Sequence, residues 1–89
     1  MKFLVHEGPD ITGPIGWYES DVDVVAGNTI ALLPDGKTFT VDNRADGETM
    51  AERGARPITQ VWLFCTRSNV SADEPGVIQL TVADRPTPR

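Results

Sequence analysis

At 89 residues the chain has room for one small domain with one modest core, since a domain of this size buries only about 60% of its unfolded-chain surface, and a large active-site cleft is excluded. Apolar residues at 39% and charged residues at 24% describe an ordinary soluble composition, and 8 glycines with 7 prolines imply many turns, hence an all-β fold. The net charge of −5 lies in the first half: residues 1–43 carry seven acids against two lysines, residues 44–89 six acids against six arginines. That balance disfavours direct nucleic-acid binding, which needs a basic face.

Cys65 is the single cysteine, so no internal disulfide forms, and its place in Val61-Trp62-Leu63-Phe64-Cys65 marks a buried structural thiol with no neighbouring cation to activate it. The opening Met1-Lys2-Phe3-Leu4-Val5 turns polar at His6-Glu7-Gly8-Pro9, too short for a signal-peptide core or a membrane span. A protein not secreted by a signal peptide, with no membrane partner, is expected.

Lys2 to His6 alternates as a short strand. Gly8 to Gly16 is dense in breakers and reads as an irregular loop. Trp17 to Val25 resumes an extended pattern that sets Tyr18, Ser20, Val22 and Val24 on an inner face and Trp17, Glu19, Asp21 and Asp23 on the outer one. After the turn Ala26-Gly27-Asn28 come two strand-like runs around Pro34-Asp35-Gly36, which predict a three-residue hairpin loop. In that register Ala31, Leu33, Phe39 and Val41 share one face, and Ile30 and Leu32 lie on the other. Asn43 to Pro57 is a long polar loop, with room for a short helix at Glu48–Arg53 ended by Gly54 and with Met50 as its one large apolar anchor. Ile58 to Thr66 is apolar toward both faces, as a central or doubly covered strand is. A polar connection, Arg67 to Gly76, leads to a last strand over Val77–Ala83. The expected architecture is a small antiparallel barrel or sandwich of about five strands: one β domain over residues 1–85 and an extended tail over 86–89.

Candidate chemistry is sparse. Glu19, Asp21 and Asp23 form an acidic row, but carboxylates two apart on a strand stand roughly 6–7 Å from each other, too far to close on one cation unaided, and no calcium-type loop accompanies them. A solvated face or a contact with a basic partner fits better. His6 is the only histidine and is expected at the surface or half-buried. No nucleophile elbow or phosphate-cradling loop is present, so no catalytic residue, metal site or cofactor is expected. Trp62 reads as core. Trp17, after a glycine and beside Tyr18, is a candidate interface anchor. Ile30 and Leu32, on the second hairpin face, need cover from neighbouring strands or from another subunit. The interaction set is therefore Trp17, Glu19, Asp21, Asp23, Ile30, Leu32 and Met50.

The order Gly27-Asn28-Thr29-Ile30, Pro34-Asp35-Gly36-Lys37-Thr38-Phe39-Thr40-Val41 and Val61-Trp62-Leu63-Phe64 resembles the small β-barrel head–tail connector proteins of tailed bacteriophages, the neck or stopper type, over residues 27–67. The resemblance implies a non-enzymatic, ring-forming subunit whose 43–57 loop projects toward a neighbour or a channel. It predicts a virion structural protein in a connector, decoration or tail role, placed in the virion or the host cytoplasm. Its partners would be copies of itself and other virion proteins. The alternative is a small acidic inhibitor that presents Glu19, Asp21 and Asp23 to a basic site on a host defence protein.

Overall fold

The computed structural model describes residues 1–50 and 57–84, and these form a closed six-stranded barrel. The strands are β1 (Lys2–Glu7), β2 (Pro14–Glu19), β3 (Thr29–Leu33), β4 (Lys37–Met50), β5 (Pro57–Arg67) and β6 (Ile78–Val82). Their order around the barrel is β1-β2-β6-β3-β4-β5, with β5 closing back on β1. The β1–β5 and β3–β6 pairs are parallel and the other four antiparallel. The all-β small barrel agrees with the sequence expectation, with six strands where about five were expected and no helix among the described residues.

Alternation builds the core. Phe3 and Val5 of β1, Ile30 and Leu32 of β3, Phe39 and Val41 of β4, Leu63 and Cys65 of β5 and Leu80 of β6 all point inward and are buried, with Tyr18 packed against them from β2. Side chains of this size fill the interior of a small barrel. Val24 joins the cluster from the β2–β3 connection and is fully buried, whereas Val22 and Val25 beside it are about half exposed, at 52% and 50%. On the outside, the connection after β5 lies over β3 and β4. Thr38 Oγ1 donates to the carbonyls of Ser68 (3.2 Å) and Val70 (2.6 Å), and Ser68 N donates to the Thr38 carbonyl (2.9 Å). That cover buries Ala31, the register partner of Thr38.

Three expectations are corrected. The β3–β4 turn holds four residues, Leu33–Gly36, with a cis Leu33–Pro34 peptide bond, Gly36 at φ +79° and Gly36 N donating to the Leu32 carbonyl at 2.7 Å. Ile30 therefore pairs with Phe39 and Leu32 with Lys37, one residue out of the expected register, and a slip of one exchanges the faces. Ile30 and Leu32 are core residues and Leu33 is only half-buried. The expected strand over residues 17–25 instead runs from Pro14 to Glu19. The chain then bends where Ser20 Oγ accepts from Val22 N (3.1 Å), which turns Val22 out to solvent. The expected 43–57 loop is mostly strand: β4 runs on to Met50 and β5 begins at Pro57, paired from Asn43↔Phe64 to Met50↔Pro57 after a bulge between Val41 and Asn43. The expected helix at 48–53 fails over Glu48–Met50, which are strand, and its remainder lies outside the described residues.

Candidate protein interface

Two features stand outside the barrel core: an arm and an outer aromatic row. The arm is the far part of the β4–β5 ribbon, Asp46–Met50 against Pro57–Val61. β3 pairs with β4 only over Lys37–Thr40, and β1 pairs with β5 only from Trp62 onward. Beyond those points each arm strand has its ribbon mate as its sole strand partner among the described residues. At ~3.4 Å per residue the arm extends the sheet by ~17 Å, in keeping with a long axis of 44 Å against 23 and 19 Å for the others. Both outer edges carry backbone donors and acceptors with no strand beside them among the described residues, a template for pairing with another chain.

Where the arm leaves the barrel it is clipped by Arg44. Its guanidinium donates from Nη1 to Asp23 Oδ1 (2.5 Å) and to the Val24 carbonyl (2.8 Å), and from Nε and Nη2 to Asp46 (2.9 and 3.1 Å). One side chain thus ties the connection that carries Val24 to the root of the arm. The guanidinium holds the Asp46 carboxyl below its ordinary 3.8, and the two carboxylates raise Arg44 in turn.

The outer row crosses four strands. Trp17, Leu4, Trp62 and Ala45 stand in register on β2, β1, β5 and β4. Register partners project to one side, so these four half-buried side chains make an apolar band on the barrel exterior. Trp62 Nε1 donates to Gln60 Oε1 at 3.1 Å, and beside the band the His6 ring stacks on Phe64 with centroids 4.9 Å apart and planes at 22°. His6 Nδ1 lies 3.3 Å from the Leu63 carbonyl, which can only accept, so that nitrogen carries the proton. His6 is 2% exposed, a correction to the expected surface or half-buried position, because the Phe64 ring stacks on it. Trp62 is likewise corrected from core to outer band. Two-sided apolarity in Val61–Cys65 was the signal for both, since it means that one apolar face looks outward.

The remaining sequence-predicted residues are dispersed. Glu19 ends β2 and Asp21 sits in the bend, both exposed, and they line a polar groove of about 280 Å³ with Ser20, Gln79 and Thr81. Asp23 is drawn away to Arg44, so the acidic row is not one strand face. Ile30 and Leu32 lie inside the barrel and need no second subunit. Met50 falls at the far end of β4 opposite Pro57, and its side chain lies outside the described residues. Arg44, Leu4 and Ala45 carry no local sequence signal; only the strand register brings them to the arm root and the band. Cys65 is fully buried, and that burial, helped by Asp42, pushes its thiol up to about 12, leaving it protonated and inert at neutral pH. Among the described residues no group of His, Cys, Asp or Glu is arranged to hold a metal ion, and no helix is long and apolar enough to cross a membrane.

Comparisons with known proteins return nothing similar: no family model, no curated protein and no solved structure matches this chain.

Proposed function

We propose that this chain is a non-enzymatic structural subunit that works by protein–protein assembly, a virion protein of the phage type in a connector, decoration or tail position. The observation that carries the reading is the arm, whose two outer edges have no strand partner among the described residues. A two-stranded ribbon is marginal on its own. A subunit that joins copies of itself or other virion proteins uses such an edge directly, because an added strand supplies main-chain hydrogen bonds along its whole length. The band of Trp17, Leu4 and Trp62 offers a second contact of the kind that anchors interfaces. Light scattering of the purified chain across a wide concentration range is expected to give one discrete oligomer. A single monomer mass up to the highest concentration overturns the ring-forming reading.

The acidic inhibitor is the second reading, favoured by the Glu19 and Asp21 carboxylates, which share a groove and form no ion pair among the described residues. It requires a monomer that binds a basic protein with strong salt dependence. The same scattering measurement therefore separates the two.

A further inference from the structure

At one end of the barrel the inward-facing positions change from apolar to charged. β1, β3 and β5 finish there, and β2 and β4 begin. Period-two alternation carries the core side of β1 from Val5 to Glu7, that of β5 from Cys65 to Arg67, and that of β4 back from Phe39 to Lys37. With Asp35 of the adjoining turn, these three charged residues rim a pocket of about 110 Å³. Buried Leu32 and Phe39 and half-buried Tyr18 supply its aliphatic and aromatic wall. The Arg67 guanidinium carbon lies 5.8 Å from the centre of the Phe39 ring, which holds the cation against that wall.

These charges do not neutralise one another. Glu7, Asp35, Lys37 and Arg67 are all exposed, and both ion pairs among the described residues belong to Arg44, elsewhere on the barrel. Two cations and two carboxylates thus share one pocket without pairing, and a ligand that carries both signs meets a partner for each. Strand order places the signs. Arg67 and Lys37 come from the neighbouring strands β5 and β4, with Glu7 beyond them on β1 and Asp35 beside Lys37 in the turn. The two cations therefore sit together, where the guanidinium fork suits a carboxylate, and an acid flanks them on each side. Volume sets the size of the ligand. At ~30 Å³ per water the pocket has the room of roughly four waters, that of the smallest α-amino acids. We propose that this barrel end binds a small zwitterion, an α-amino acid with a side chain no larger than methyl. Its carboxylate lies on Arg67 and Lys37, its ammonium on Glu7 or Asp35, and its methyl group against Leu32 and Phe39. The site is independent of the arm and of the assembly reading.

Titration of the full chain with L-alanine tests this, followed by the nitrogen–proton NMR signals of the Arg67 side chain and of the Glu7 and Lys37 amides. Because all four charged groups are exposed, saturable binding is expected only in the millimolar range. Acetate and methylammonium, the two halves of the zwitterion, are titrated at the same ionic strength. Alanine is expected to bind at least about fivefold more tightly than either half, and at least about fivefold more tightly than leucine, which exceeds the pocket. Arg67→Gln and Lys37→Gln should each weaken alanine by a similar factor. Shifts that fail to saturate by about 100 mM overturn the site. Acetate that binds as tightly as alanine overturns the zwitterion, and leucine that does so overturns the size assignment. The wild-type comparisons decide the proposal even if a variant fails to fold. Oligomeric state does not enter them, so their failure leaves the assembly reading standing.

Discussion

Among the described residues, both side-chain ion pairs are made by Arg44. Its guanidinium is 21% exposed and meets two carboxylates and the carbonyl of the fully buried Val24. Exposed ion pairs contribute little, but a cation that also satisfies a backbone acceptor is worth more, and Arg44→Met is expected to cost ~1–2 kcal/mol in denaturant unfolding. The pH dependence has a defined sign. The folded Asp46 carboxyl lies below its ordinary 3.8 because Arg44 donates to it, so its stabilisation is complete above 3.8 and is lost as pH falls through the depressed value. The gap in stability between wild type and Arg44→Met should therefore narrow as pH drops below 3.8. A gap that stays constant there would show that the carboxylate takes no part. Asp10, lowered by its hydrogen bonds from Thr12, adds an acid sensitivity that both proteins share.

At the level of elements, the sequence was legible where turn chemistry and alternation agree. β1 and β6 appear within a residue or two of their expected bounds, and the Pro34-Asp35-Gly36 hairpin is present. Its register was not legible, because a turn of three residues and one of four have the same composition, and the choice inverts which of Ile30 and Leu33 is core. β4 was unreadable past Val41: Asn43, Asp46 and Gly47 have low strand propensity, and pairing with Val61–Phe64 overrides it. The site was less legible than the fold, since Trp17, Leu4, Trp62 and Ala45 come together only through the barrel's strand order. The strand expected over residues 17–25 ends at Glu19, yet Val24 of the β2–β3 connection does face inward as its alternation implies. It enters the core from the barrel end where Gly27 N donates to the Val41 carbonyl and Val41 N to the Asn28 carbonyl, both at 2.8 Å. Anchored on both sides, this connection cannot collapse to fill a void. Val24→Ala is accordingly expected to lose ~2 kcal/mol or somewhat more, from the removed methyl groups and the residual cavity. Chemical denaturation checks this, and a loss near zero would mean that the connection repacks.

The whole molecule divides into a cooperative barrel and an arm that shares little of its stability. Every barrel strand is flanked on both sides and contributes to one core, so its innermost amides exchange only when the domain unfolds. Among the described residues the arm has one strand neighbour per strand, and of its described side chains Val61 packs against the core cluster and Gln60 is buried. Local opening of the ribbon therefore breaks main-chain hydrogen bonds without exposing Phe3, Phe39 or Leu63, and its free energy lies well below the global value. Val24→Ala separates the two parts, because it weakens the barrel from the connection and leaves the ribbon pairs untouched. In native-state hydrogen exchange of the diluted subunit, Val24→Ala should speed the slowest amides of β1, β3 and β5 by roughly the full loss of stability, about 30-fold for ~2 kcal/mol. Arm amides from Asp46 to Met50 should change by less than about twofold. Parallel acceleration of both sets would make ribbon and barrel one unit, and the arm would then be a rigid spoke held by Arg44. Independent exchange makes it a strand pair poised to exchange water for a neighbour's backbone at little cost to the barrel that carries it.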